Sequence, residues 1–165
     1  MNKCVIFTGG ELNDPEKLNK AVWQNAFVIA ADSGYRYAEK LGIIPDLAIG
    51  DYDSLGYIPE NCREVLRFPK EKDDSDLMLA IREALKRGYD DITITGALGG
   101  RFDHTYSNIQ SLGFILKNGA SGRIISPDEE IGLILPGNYK IKKDNPRSLS
   151  LFAYTENVNG LNISG

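Results

Sequence analysis

The stretch Ile92 to Asn118, ITITGALGGRFDHTYSNIQSLGFILKN, decides the architecture. Ile92 to Thr95 reads as a short buried strand and Gly96-Ala97-Leu98-Gly99-Gly100 as a turn. From about Asp103 to Asn118, Ile109, Leu112, Ile115 and Leu116 recur at helical spacing. Strand, glycine turn and helix form the repeating unit of a parallel sheet, because a parallel neighbour is reached only through a long crossover.

Working outward, the same alternation continues. Cys4 to Phe7 is an apolar run ended by Thr8-Gly9-Gly10, and Phe27 to Ala31 is another, ended by Asp32-Ser33-Gly34. A helix is expected between them from Pro15 to Asn25, and a second from Tyr35 to Leu41, stopped by Gly42. Leu47 to Ile49 and Glu64 to Phe68 are further strands, the latter ended by Pro69. The strongest helix starts near Asp74 or Ser75, both good N-caps, and sets Leu77, Ala80, Ile81, Ala84 and Leu85 on one face before Gly88. The expected fold over residues 1–127 is therefore a Rossmann-like α/β domain, mostly parallel, with helices on both faces.

After Gly119 the pattern changes to short alternating segments at Arg123 to Ser126, Glu130 to Leu135 and Ser148 to Phe152, divided by prolines and glycines. Residues 128–165 are expected to begin a β-rich C-terminal domain that stops incomplete, since its last stretch has nothing after it to pair with.

Composition narrows the function. The 165 residues, 42% hydrophobic and 25% charged, suit one ordinary domain or one domain plus a fragment. Lys and Arg number 19 against 23 Asp and Glu, a net charge of -4, which argues against broad binding to nucleic acid or anionic membrane. A phosphate ligand must then bring its own cation. Cys4 and Cys62 are too few for a disulfide framework or zinc site and are expected as free thiols. With no secretory pattern at Met1 to Gly10 and no stretch of membrane-spanning length, cytoplasm is the expected location.

Three constellations carry chemistry. In Pro45 to Leu55, PDLAIGDYDSL, Asp51 and Asp53 follow a buried strand end; if the strand continues, residues two apart share a face and both carboxylates meet one Mg²⁺. The plainer reading is a polar loop with an Asp cap. In Lys70 to Asp76, KEKDDSD, a helix N-terminus favours an anion. Lys70 and Lys72 add positive charge, while Asp73, Asp74 and Asp76 would repel a bare phosphate without a metal between. The plainer reading is acids placed well against the helix dipole. In Thr95 to His104, TGALGGRFDH, glycines let backbone approach a ligand and Arg101 offers a fork of donors. Asp103 is a cap or a site residue, and His104 is read as a hydrogen-bonded structural residue. This loop is neither G-x-G-x-x-G nor a Walker P-loop.

Together, the order and spacing of these motifs resemble the thiamin pyrophosphokinase family. Its members carry an acid-glycine turn, a P-D-x-x-x-G-D-x-D-S run, a K-D-x-T-D helix start and a G-G-R-x-D-H loop. The matching residues are Asp32-Ser33-Gly34, Pro45 to Ser54, Lys72 to Asp76 and Gly99 to His104, with Ser33 for a usual glycine and Ser75 for a usual threonine. The resemblance implies an α/β catalytic domain, a β-rich C-terminal domain and a homodimer enclosing thiamin. It also implies Mg²⁺-dependent transfer of pyrophosphate from ATP to the thiamin hydroxyl, with release of AMP. By this carry-over Asp51, Asp53 and Asp76 are metal ligands and Asp32 belongs to the nucleotide site. Lys72, Ser75 and Arg101 meet phosphate oxygens, and Asp103 joins them in the catalytic set. Family members usually extend past a point like Gly165, so the segment that holds the thiamin rings is expected to be missing.

Two other readings stay open. A haloacid-dehalogenase-type phosphohydrolase also uses Asp-x-Asp after a strand, but normally the first strand, whereas two strands precede it here. A non-catalytic nucleotide-sensing module would bind Mg-ATP and form no product.

Overall fold

The structure, a computed structural model, describes residues 1–71, 73–141 and 148–164. Its first compact unit, Met1–Leu133, is built on seven strands. These are β1 (Lys3–Phe7), β2 (Phe27–Ala31), β3 (Leu47–Gly50), β4 (Val65–Arg67), β5 (Asp91–Thr95), β6 (Ser121–Ile125) and β7 (Glu130–Gly132). They lie in the order β4-β3-β2-β1-β5-β6-β7, every pair parallel except β6 with β7. The helices are α1 (Tyr35–Lys40), α2 (Asp76–Lys86) and α3 (Phe102–Lys117).

The alternation of each strand divides the core between the two faces. Cys4 and Ile6 of β1 join Ile29, Leu47, Ile49, Ile92, Ile94 and Ile124 against Leu77, Ala80, Ile81 and Ala84 of α2 and Leu112 and Ile115 of α3. Val5 and Phe7 point the other way with Val28, toward Trp23, Tyr37, Leu41 and Ile43. Both faces of the central strands are thus covered, which is why β1, β2 and β3 are almost wholly apolar. Ser75 caps α2 by accepting the Met78 N–H at 3.3 Å, as its N-cap position requires.

Three sequence expectations are corrected. The helix expected from Pro15 to Asn25 is two short 3-10 turns, Pro15–Lys17 and Lys20–Val22. Leu18 between them is extended and buried, and Asn19 caps the second turn through the Ala21 N–H, so burying Leu18 outweighs a continuous helix. Residues 130–132 pair antiparallel with β6, so the alternating pattern there adds an edge strand to the first sheet. In the second compact unit, Ile134–Gly165, no helix or strand forms among the described residues, Ser148 to Phe152 included. An alternating pattern supplies a face, but a strand exists only where another edge completes its ladder. Within that unit the Tyr139 hydroxyl donates to the Leu135 carbonyl at 2.8 Å.

The strands meet most tightly at their carboxyl ends. A Cβ on Gly34 would collide with the Phe7 carbonyl oxygen, one on Gly10 with the Gly96 carbonyl oxygen, and one on Gly96 with the Thr8 carbonyl oxygen. Gly96 also has φ +74, whereas Gly42, at φ +66, has open space around its missing side chain. Gly42→Ala should therefore cost about 1 kcal/mol for its backbone alone, and Gly96→Ala at least ~2 kcal/mol more for the backbone it displaces. Urea unfolding of the two variants measures the difference; equal losses would contradict the close contact between the β1 and β5 turns.

Candidate active site

Because the sheet is parallel from β4 to β6, the loops after β1, β2, β3, β4 and β5 leave from one edge. The register aligns them: Phe7 lies beside Ala30 and Thr95, Ala31 beside Ile49, and Gly50 beside Arg67. The chain runs outward from β1 through β2 and β3 to β4, then crosses by α2 to β5 on the other side of β1. That reversal between β1 and β5 is the topological switch point, where open α/β sheets bind ligands.

Two groups of side chains occupy this edge. Near β1 and β5 are the Thr8-Gly9-Gly10 and Gly96-to-Gly100 turns, exposed at Gly9, Gly99 and Gly100. Tyr37 of α1 fixes the first of them, its hydroxyl donating to the Gly10 carbonyl at 2.6 Å and accepting from the Leu12 N–H at 3.1 Å. Asn108 of α3 fixes the second by donating to the Ala97 carbonyl at 2.8 Å, and Thr105 donates to the Gly99 carbonyl at 3.2 Å. Sequence reasoning missed Tyr37 and Asn108; their only signal was a polar group on an otherwise packing helix.

Near β2, β3 and β4 lie the acids. Asp32 is buried in a left-handed backbone conformation, φ +46, and its Cα and Cβ lie 3.2 Å from where a Gly50 Cβ would stand. Its Oδ1 is buried without a hydrogen-bond partner among the described residues, as is Thr95 Oγ1 across the edge. Such orphaned oxygens are costly unless something outside the chain meets them. β3 stops at Gly50, and Tyr52 turns left-handed at φ +64, burying its ring and sending its hydroxyl toward the Leu66 carbonyl. The strand therefore does not continue through Asp51 and Asp53, which correct the shared-face reading: Asp51 Oδ1 instead accepts the Asp53 N–H at 2.9 Å, closing a local turn.

Asp53 Oδ2 accepts from the Lys70 ammonium at 2.7 Å. Asp76 sits in the first turn of α2. Burial pushes the Tyr52 hydroxyl well above its ordinary pKa, and the charges of Cys62, Asp32 and Asp76 push the same way. Ser75, exposed at the α2 cap, accepts one hydrogen bond and keeps its O–H proton for an incoming acceptor. Among the described residues, no group of three or more His, Cys, Asp or Glu side chains is arranged to hold a metal ion. Lys72 lies outside the described residues.

Arg101 and Asp103, at the start of α3, pair with each other. Arg101 Nε and Nη2 donate to Asp103 Oδ1 and Oδ2 at 3.1 and 2.6 Å, and the His104 N–H donates to Oδ1 at 3.0 Å. Both side chains are exposed, and so is His104, in contrast to the structural role expected of it. An open groove lined by Arg82, Leu85, Phe114 and Asn118 lies at the opposite edge and shares no residue with these loops.

A doubly wound sheet whose carboxyl edge presents glycine turns, helix N-termini and carboxylates defines a class: α/β proteins that handle phosphorylated ligands. Comparison with known proteins makes this particular. The catalytic domain of thiamin pyrophosphokinase matches residues 19–121. Thiamine pyrophosphokinase of Bacillus subtilis is 34% identical over 171 aligned positions, covering 100% of this chain and 80% of that protein. A crystal structure of the Bacillus subtilis protein superposes at TM-score 0.71, with 32% identity, over 87% of this chain and 70% of its own. A thiamin pyrophosphokinase family protein from Enterococcus faecalis superposes at 0.70, with 26% identity, over 88% and 71%. The chain belongs to the thiamin pyrophosphokinase family, a family of diphosphotransferase enzymes.

The Arg101 guanidinium holds the Asp103 carboxyl below the usual carboxylate range, and the His104 N–H adds to this. A folded pKa that is lowered means the pair is present above it and lost as pH falls through it. NMR titration of Asp103 should show a depressed pKa that Arg101→Met moves back up; an unmoved titration would contradict the pairing.

Proposed function

We propose that this chain transfers pyrophosphate from ATP to the hydroxyl of thiamin, giving thiamin diphosphate and AMP. The observation that carries the reading is the family match, supported by the motif residues Asp32, Asp51, Asp53, Ser75, Asp76 and Arg101 standing on the loops and helix starts of one sheet edge.

The donor set fits Mg²⁺ in chemistry, being hard carboxylate oxygens, and the buried Asp32 Oδ1 has no hydrogen-bond partner among the described residues. Mg²⁺ needs only one or two carboxylates and takes phosphate and water for the rest, so a closed cage of three acids is not required. Asp51, Asp53 and Asp76 are its proposed holders. When bound, it neutralises phosphate charge and supports departure of AMP.

The chain's own residues do the rest. Attack falls on the β-phosphorus, so the triphosphate must be held bent, with the α-phosphate free to leave. The α2 N-terminus and the Ser75 hydroxyl present donors to phosphate oxygens on one side, and Arg101 on the other, released from or sharing Asp103. Lys72 is a further phosphate contact by motif. Asp32 orients the nucleotide at the switch point. Positioning and charge neutralisation supply most of the rate in such transfers. Asp103 acts by holding Arg101 and is assigned no proton. The enzyme is further proposed to be a cytoplasmic homodimer. Among the described residues no helix is long and apolar enough to cross a membrane, in keeping with that setting.

Incubation with Mg-ATP and thiamin, resolved by chromatography, should yield AMP and thiamin diphosphate in equal amounts. Phosphate release from generic phosphoesters without AMP would favour the hydrolase reading, and Mg-ATP binding without product the sensing module. Asp51→Asn and Asp53→Asn should each lower turnover by about 10³-fold with an unchanged melting curve. Wild-type turnover in either variant would remove the metal assignment.

A further inference from the structure

Lys70 opens the Lys70-to-Asp76 stretch, two residues before the family motif that starts at Lys72, and it reaches back to Asp53. It follows Pro69 just beyond β4, and its ammonium lies 2.7 Å from Asp53 Oδ2. Asp53 in turn donates its N–H to Asp51 Oδ1 at 2.9 Å, so the acid that Lys70 grips is tied to the other acid of the motif. The contact is open, with 76% of the Lys70 side chain and 53% of the Asp53 side chain exposed. An exposed ion pair of this kind is weak and readily exchanged.

An ammonium has donors only and cannot share a carboxylate's inner sphere with a divalent cation without repulsion. A four-carbon stem lets it swing away at little cost and present the same charge to an anion nearby. Resting on the metal reading above, we propose that Lys70 is a built-in counter-cation. It neutralises Asp53 while no metal is bound, yields the carboxylate to an incoming divalent cation, and then turns to the phosphates that arrive with it.

The two halves of this role have opposite signs, which a merely structural lysine would not produce. The test is calorimetric titration of the full 165-residue chain with Mn²⁺ alone, and with Mn²⁺ plus α,β-methylene-ATP, which cannot be cleaved at the reacting bond. Lys70→Met should bind Mn²⁺ alone about 10-fold more tightly and bind the Mn²⁺-loaded analogue about 10-fold more weakly than wild type. Lys70→Arg should stay near wild type in the second measurement. Unchanged or weaker Mn²⁺ binding by Lys70→Met overturns the counter-cation role, and unchanged analogue binding overturns the turn to phosphate. A wild-type chain that takes no Mn²⁺ in either titration would instead remove the metal reading on which the proposal rests. Thermal melts of the variants, expected to match wild type at so exposed a position, confirm that the titrations compare folded proteins.

Discussion

The contact on which the rest depends is the backbone approach between the turns after β1 and β5. Gly10 and Gly96 each stand where a methyl group would strike the other turn's carbonyl, Gly96 carbonyl in the first case and Thr8 carbonyl in the second. Only at that separation do β1 and β5 pair along their whole length, from Lys3 beside Asp91 to Phe7 beside Thr95. Their pairing places the switch point, and the switch point gathers helix N-termini and loop carboxylates at one edge. Gly34, packed on the Phe7 carbonyl, brings the Asp32 turn to the same place.

That arrangement explains an acidic protein acting on a polyanion. With a net charge of -4, the chain cannot attract a triphosphate by its overall field. Attraction must be local, from backbone N–H groups at helix starts, from Ser75 and Arg101, and from a cation held by the acids. The acids themselves are kept from repelling one another by neighbours: Asp53 by Lys70, Asp103 by Arg101, Asp74 by Arg82 at 2.7 Å. Three of the acids at this edge are thus paired without ligand, and each pair is exposed enough to be exchanged for ligand contacts.

Much of this was legible in the sequence. β2 falls where its apolar run begins and ends, and α2 begins one residue after its Ser75 cap, because local signals and tertiary packing agree there. Asp76 at the start of α2 and Arg101 in the loop into α3 were read from the same local signals. What the sequence withheld depends on distant parts of the chain. Leu18 broke a helix because a core pocket outside that segment took it, and Tyr52 ended a strand because its ring had a buried place to go. The pairing of Asp53 with Lys70 and the grip of Tyr37 on Gly10 are separated by 17 and 27 residues, and no local pattern encodes them. The alternation of Ser148 to Phe152 fitted a strand and formed none among the described residues, since a pattern cannot supply its own partner edge.

The central claim is that one sheet edge gathers a divalent cation and a triphosphate. Anomalous diffraction from crystals grown with Mn²⁺ and a non-cleavable ATP analogue tests it directly. A single strong peak bounded by carboxylate oxygens of Asp51, Asp53 or Asp76 and by phosphate oxygens is the predicted result. A nucleotide bound at the opposite edge, or one bound at this edge with its metal away from all three aspartates, would contradict it.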